Sequence, residues 1–100
     1  MQAITSLSYR YSGLAQDIIC HMDAISGIKI PLERLGVSRA LVVCGPTILS
    51  KSNVVDRVQN ALGSYSVGLF SEVAPHSPVG IVEKAVSVAS DLQPDCLVSV

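Results

Sequence analysis

The sequence predicts an α/β fold in which a parallel β-sheet is covered by helices on both faces. Short, continuous apolar runs recur along the chain, as is typical of strands that are buried on both faces. Segments with helical periodicity separate these runs, and glycine or proline closes most of them. The composition agrees, because 49% of the 100 residues are hydrophobic and 15% are charged, whereas a typical domain is about 25% charged.

The first predicted elements are a short helix and a strand. Pro31 suits the first helical turn, where its missing N–H would be unpaired anyway, and Gly36 suits the left-handed residue that closes the helix. Ala40–Cys44 is a continuous apolar run and is predicted to be a buried strand. Gly45-Pro46-Thr47 is then predicted to be a turn.

A second helix and a second strand follow. Ser52 or Asn53 can cap the helix and Gly63 can close it. Its apolar residues form one stripe at helical spacing: Val54, Val55, Val58, Ala61 and Leu62. Ser66–Phe70 is the next predicted strand.

The last predicted elements are a loop, a helix and a third strand. Ser71–Ser77 is the loop, and Ser77-Pro78 predicts a helix cap followed by a first-turn proline. The helix is predicted to end near Leu92, and Gln93-Pro94-Asp95 separates it from a strand that begins at Cys96 and runs to Val100. Its buried side is predicted to carry Val79, Val82, Val86 and Ala89, in a stripe that Ala85, Val88 and Leu92 widen.

Joined by right-handed crossovers, these elements predict a three-layer, Rossmann-like βαβαβ half with a parallel sheet, truncated after its third main strand. Residues 29–100 would form this partial dinucleotide-binding domain. Residues 1–28 are interpreted as an N-terminal edge region in which Ser8–Tyr11 and Asp17–Cys20 form a hairpin.

Composition excludes several classes of function. A net charge of −1 leaves no basic face for nucleic acid, and the apolar content excludes a disordered chain. The longest uncharged run, Val58–Ser71, is shorter than the about 20 apolar residues of a membrane-spanning helix. Met1–Arg10 lacks a secretory signal, and three widely spaced cysteines indicate reduced thiols. The sequence therefore predicts a cytoplasmic protein without nucleic acid or membrane partners.

Candidate ligand-binding residues follow the predicted strands, because open α/β sheets bind ligands beyond the carboxyl ends of their strands. Gly45, Pro46 and Thr47 follow the first strand, where the glycine admits a ligand to the backbone and the threonine offers a hydroxyl. His76 follows the second strand, between two prolines, and can donate a hydrogen bond. An ordinary turn and an ordinary surface histidine remain the alternatives at these positions.

Signals for metal binding and for nucleophilic catalysis are weak. Cys20-His21-Met22-Asp23 contains metal-ligating residue types, but no second cluster completes a four-ligand shell. Cys44 and Cys96 lie in strand runs and are predicted to be small buried hydrophobes. No Ser-His-Asp or G-x-S-x-G arrangement is present. The sequence predicts neither a metal site nor a catalytic residue in this chain.

The order of motifs resembles the iron-containing alcohol dehydrogenase superfamily from about Asp17 to Val100. The resemblance is carried by the run L-E-R-L-G-V-S-R-A-L-V-V at 32–43, by V-D-R-V at 55–58 with Ala61-Leu62, and by Asp95–Val100. Ala74-Pro75-His76-Ser77-Pro78 is most similar to the maleylacetate reductase branch, in which a histidine lies two residues before the proline.

The resemblance implies an NAD(P)-dependent reductase with a small carbonyl or alcohol substrate, usually dimeric, with a helical C-terminal domain that holds iron or zinc. This chain would be the N-terminal cofactor-binding part, inactive alone. A truncated three-stranded sheet would leave an apolar edge and helix faces uncovered, so we expect a homo-oligomer or association with a complementary chain. Gly45 stands where many NAD-preferring members have an aspartate, so NAD and NADP both remain open. Thr47 and His76 match positions that line the cofactor cleft. The alternative is a stand-alone, non-catalytic module of flavodoxin or receiver type.

Overall fold

Within the described residues the sheet has three parallel strands, which confirms the predicted α/β class. The computed structural model describes residues 18–20 and 22–100. Strands β1 (Ala40–Val43), β2 (Ser66–Phe70) and β3 (Cys96–Ser99) are arranged in the order β2-β1-β3. Four α-helices accompany them in these residues: α1 (Lys29–Leu35), α2 (Pro46–Lys51), α3 (Val54–Leu62) and α4 (Val79–Leu92). The first crossover leads from β1 to β2 and the second from β2 to β3, and β1 lies between the two other strands and pairs with both.

One face of the sheet carries the core. Alternate residues of β1 point to opposite faces, and Ala40 and Val42, both 0% exposed, point toward α1 and α3. The buried cluster consists of Leu32, Ala40, Val42, Cys44, Val55, Val58 and Leu62. The predicted stripe of α3 is therefore confirmed, and Cys44 is the small buried hydrophobe that its strand position predicts.

Helix α4 packs on the opposite face, and its predicted buried stripe is confirmed only in part. Val79, Val82 and Val86 are exposed, and half-buried positions lie at Ile81, Ala85, Val88, Ala89 and Leu92. Leu92 of the helix lies against the sheet at Gly68, where a Cβ would lie 2.6 Å from Leu92 Cδ1. The predicted positions Ala85, Val88, Ala89 and Leu92 are half-buried, so the prediction was wrong only for the three exposed valines. The error arises because α4 is apolar around most of its circumference, and helical periodicity alone does not choose between adjacent apolar stripes.

Helix ends follow the sequence signals in part. Gly36 closes α1 with a φ of 74°, and Gly63 closes α3 with a φ of 55°. Val54 N–H donates a 3.0 Å hydrogen bond to Ser52 Oγ, so the serine rather than the Asn53 side chain satisfies the start of α3. Ser77 does not cap α4, because Pro78 is the capping residue and its carbonyl accepts from Ile81 and Val82 N–H.

The amino ends of β1 and β3 are joined by side chains. The Asp95 carboxylate accepts hydrogen bonds from the backbone N–H groups of Ser38 (3.1 Å) and Arg39 (2.8 Å). The Arg39 guanidinium donates in turn to the carbonyls of Leu92 and Gln93 at the end of α4. This connection fixes α4 and β3 against the start of β1.

The N-terminal region is described only in part. Ile18–Cys20 has no regular secondary structure, and Ala24–Gly27 forms a 3₁₀ turn. The predicted hairpin strand Ser8–Tyr11 and Asp17 lie outside the described residues. The hairpin and the division at residue 28 therefore stay predictions.

Candidate functional site

The candidate site is the carboxyl edge of the sheet, where β1 and β3 end side by side. The first crossover leads from β1 to β2 on one side, and the second leads back past β1 to β3 on the other. This reversal forms a topological switch point, the position at which open α/β sheets leave a ligand crevice. The Val100 N–H donates to the Val43 carbonyl at 2.9 Å, so the two strand ends stay in register up to the edge.

Gly45 lies at the end of β1, against the loop that follows β2. A Cβ at Gly45 would lie 3.2 Å from the Val73 carbonyl oxygen. The Val73 N–H also donates to the Cys44 carbonyl at 3.2 Å. The missing side chain at Gly45 therefore makes room for the neighbouring loop, a role that the sequence reasoning did not foresee.

Pro46 and Thr47 are the first residues of α2, where a turn was predicted. Gly45 occupies the capping position with extended backbone, and Pro46 follows as the first helical residue. A proline is favoured there because the first helical N–H has no partner within the helix. The turn prediction was wrong for this reason, since a Gly-Pro pair marks a helix start as well as a turn. Gly45, Pro46 and Thr47 thus lie together at the carboxyl end of β1.

His76 lies in a tight turn of the loop after β2. The Ser77 N–H donates to the Ala74 carbonyl at 3.2 Å, and His76 has a φ of 64°. A proline second and a left-handed residue third are features of type II turns. The His76 side chain is exposed. The Val73 contacts anchor this loop to Gly45, so both predicted parts of the site belong to one edge of the sheet.

The edge has little charge. Glu72 and Lys84 form an ion pair of 2.8 Å, with side chains 49% and 59% exposed, respectively. Burial raises the pKa of the Cys44 thiol above its usual value, which keeps the sulfur protonated and neutral near pH 7. Burial, and then the nearby Asp95 charge, also raise the pKa of Cys96. Neither thiol has the depressed pKa of a reactive cysteine.

An apolar groove of about 290 Å³ runs between α4 and the sheet, beneath the carboxyl edge. Its lining comes from β1, β2, β3, α4 and the loop after β2: Leu41, Val43, Phe70, Val73, Ala74, Ser77, Ile81, Val82, Ala85, Val86, Ala89 and Leu97. Leu97 is 67% exposed and forms an open side of the groove. The groove was not predicted from the sequence, because the apolar stripe of α4 indicates a helix that covers the sheet.

Metal-ligating side chains do not cluster in the part of the chain that the structure describes. No group of three or more His, Cys, Asp or Glu residues there could hold a metal ion. Cys20 and Asp23 belong to the described residues, whereas His21 lies outside them. The described residues therefore do not fit an iron or zinc site. No described helix has the length and apolar character to cross a membrane.

Comparison with known proteins decides the family. The family model for iron-containing alcohol dehydrogenases matches residues 15–100. The chain belongs to the iron-containing alcohol dehydrogenase family. Within this oxidoreductase family it is similar to the maleylacetate reductase of Sphingobium indicum, with 31% identity over 94% of the chain and 26% of the relative. It is also 37% identical to long-chain-alcohol dehydrogenase 1 of Geobacillus thermodenitrificans, over 77% of the chain and 20% of that protein.

A solved structure supports the same family and fold. The crystal structure of maleylacetate reductase from Agrobacterium tumefaciens superimposes with a TM-score of 0.75 and 28% identity, over 90% of this chain and 25% of that one. The resemblance to the maleylacetate reductase branch is thereby confirmed. The chain spans about a quarter of the length of the relatives that it matches.

Proposed function

We propose that this chain is the N-terminal NAD(P)-binding part of an oxidoreductase similar to maleylacetate reductases and iron-containing alcohol dehydrogenases. One observation carries the proposal: the β2-β1-β3 order brings the carboxyl ends of β1 and β3 together at a switch point. Such a crevice accepts a dinucleotide. Membership of an oxidoreductase family makes a nicotinamide dinucleotide the best-supported ligand.

Gly45, Pro46, Thr47 and His76 are the proposed cofactor-binding residues. Gly45 ends the stretch after β1 as the capping residue of α2, and Thr47 offers a hydroxyl in the first turn of that helix. His76 offers an imidazole donor from a loop that is anchored to the same strand end. No carboxylate stands at Gly45 to repel a 2′-phosphate, and no arginine stands there to favour one. The proposal therefore covers both NAD and NADP.

The bound nicotinamide would supply hydride to, or accept it from, a small carbonyl or alcohol substrate in the complete enzyme. The described residues supply binding and orientation of the dinucleotide. Their lack of a metal-ligating cluster gives no support to an iron or zinc site within them. We propose a catalytic role for no residue of this chain.

Assembly and location are part of the proposal. The open groove beside Leu97 supports association of this chain, either with a second copy or with a complementary chain. A cytoplasmic location remains proposed on the grounds of the cysteine usage. The alternative of a receiver-like module has no supporting acidic cluster among the described strand ends.

Titration of the purified chain with NADH and NADPH tests the proposal. We expect binding to enhance the nicotinamide fluorescence. Added AMP should compete for the site and reverse this enhancement. Thr47→Val and His76→Ala should weaken binding, whereas Ser87→Ala on α4, outside the proposed site, should leave it unchanged. Binding that is equally strong in all three variants would place the cofactor elsewhere.

A further inference from the structure

The loop after β2 contains two successive residues in the left-handed backbone region. His76 has a φ of 64° and Ser77 a φ of 42°. Histidine is enriched several-fold in this region, whereas serine has no such preference. Ser77 also precedes Pro78, and a residue before proline is normally extended. The strain in this turn is therefore concentrated at Ser77.

The turn is restrained on both sides of this strained residue. Pro75 fixes its own φ, and Pro78 caps α4 through hydrogen bonds from Ile81 (3.0 Å) and Val82 (3.1 Å). Upstream, the Val73 N–H is bound to the Cys44 carbonyl at 3.2 Å. His76 lies three residues from this anchor, a span of at most about 11 Å of chain. The histidine is thus held within a short distance of the end of β1.

The side chains of His76 and Ser77 differ in their relation to the groove. Both residues are exposed, but only Ser77 lines the apolar groove beneath the edge. Backbone strain that the surrounding structure maintains at the rim of a ligand crevice is a recurrent feature of functional sites.

We infer that Ser77 is a positioning residue, whose strained backbone pre-orders His76 for the dinucleotide at a cost in stability. The inference rests on the proposed function. Glycine at this position removes the left-handed strain, but it also frees the backbone. A loop that must then be ordered during binding loses affinity, because fixing one residue costs free energy.

Three variants separate positioning from general stability. Ser77→Gly should leave the thermal midpoint unchanged or raise it, and weaken NADH or NADPH binding about fivefold. Ser77→Asn keeps a side chain that tolerates the left-handed region, and should bind as tightly as the wild type. The matched control is Gln93→Gly, since Gln93 has a φ of 53° at the opposite edge of the sheet. It should relieve strain without changing the affinity.

The His76 ring supplies an independent readout. Its imidazole NMR signals should shift when nucleotide is added to the wild type, and should shift less in Ser77→Gly at the same nucleotide concentration. If the wild type binds the nucleotide and Ser77→Gly binds it with the same affinity, the inference is overturned and the proposed function is retained. Equal weakening by Ser77→Gly and Gln93→Gly would also overturn it. A wild-type chain that binds neither nucleotide would overturn the proposed function and the inference together.

Discussion

The carboxylate of Asp95 accepts a 2.8 Å hydrogen bond from the backbone N–H of Arg39, a residue at the start of the neighbouring strand. The Arg39 side chain also bonds to this region, because its Nε donates to the Gln93 carbonyl at 3.0 Å. Its own carbonyl accepts from Asp95 N–H at 2.9 Å. The pair therefore ties β1, β3 and the end of α4 together at the edge opposite to the candidate site.

This pair predicts a dependence of stability on pH. Hydrogen bonds from Arg39 N–H and then Ser38 N–H lower the pKa of the Asp95 carboxyl below its ordinary value of 3.8. The ionised carboxylate therefore stabilises the fold above that value, and this contribution is lost as the pH falls through the lower folded-state pKa. Asp95→Asn should lower the thermal midpoint at pH 7 and flatten its decline between pH 5 and pH 2. Thermal melts followed by circular dichroism measure both effects.

Asp91→Asn is the control for that experiment. Asp91 is an exposed carboxylate on α4, four residues before Asp95. Its substitution should leave the pH profile as in the wild type. A profile that changes equally in both variants would mean that the hydrogen bonds of Asp95 are not the cause.

Gly68 is predicted to set how closely α4 approaches the sheet. Because a Cβ there would lie 2.6 Å from Leu92 Cδ1, Gly68→Val should displace the end of α4 and cost about 1–3 kcal/mol of unfolding free energy. Urea unfolding measures the loss. Adding Leu92→Ala to Gly68→Val should recover part of it, and a strictly additive double variant would contradict the proposed contact.

Leu62 is predicted to be a main contributor to the core. It is 0% exposed within the cluster on the α3 face, so Leu62→Ala should cost about 2–5 kcal/mol. Leu35, which is 76% exposed, offers a matched leucine. Leu35→Ala should change the unfolding free energy by less than about 0.5 kcal/mol. Comparable losses in the two variants would contradict the assigned core.

Gly45→Ala is predicted to disturb the loop after β2. The added methyl group would lie 3.2 Å from the Val73 carbonyl oxygen, closer than most such contacts, and the backbone there would have to shift. We expect a loss of about 1 kcal/mol and, under the proposed function, weaker nucleotide binding. In contrast, Gly80→Ala meets nothing within 4 Å and should be neutral or stabilising. Urea unfolding and NADH titration of both variants measure these effects.

Much of the fold was predictable because local signals and burial agree. The run Ala40–Cys44 is apolar at every position, and the structure buries all of it except Val43, which is half-buried. Gly36 and Gly63 mark helix ends, because both take positive φ values that other residues avoid. These features depend on neighbours in sequence, so the sequence alone is enough to find them.

The remaining features depend on contacts between distant residues. The orientation of α4 is determined partly by the absence of a side chain at Gly68, which periodicity within α4 does not reveal. The role of Gly45 depends on the Val73 carbonyl, a group that belongs to another loop. The candidate site was located by a topological rule about strand ends, and that rule does not specify the backbone conformation of Ser77.

The central position of β1 has a consequence for how the chain folds. β2 and β3 do not pair with each other. Each therefore acquires its sheet hydrogen bonds only after β1 (Ala40–Val43) has formed. The segment from β1 to β2 can close first, since it spans fewer residues than the one from β1 to β3. We therefore expect substitutions in β1 to slow refolding, and substitutions in β3 mainly to accelerate unfolding.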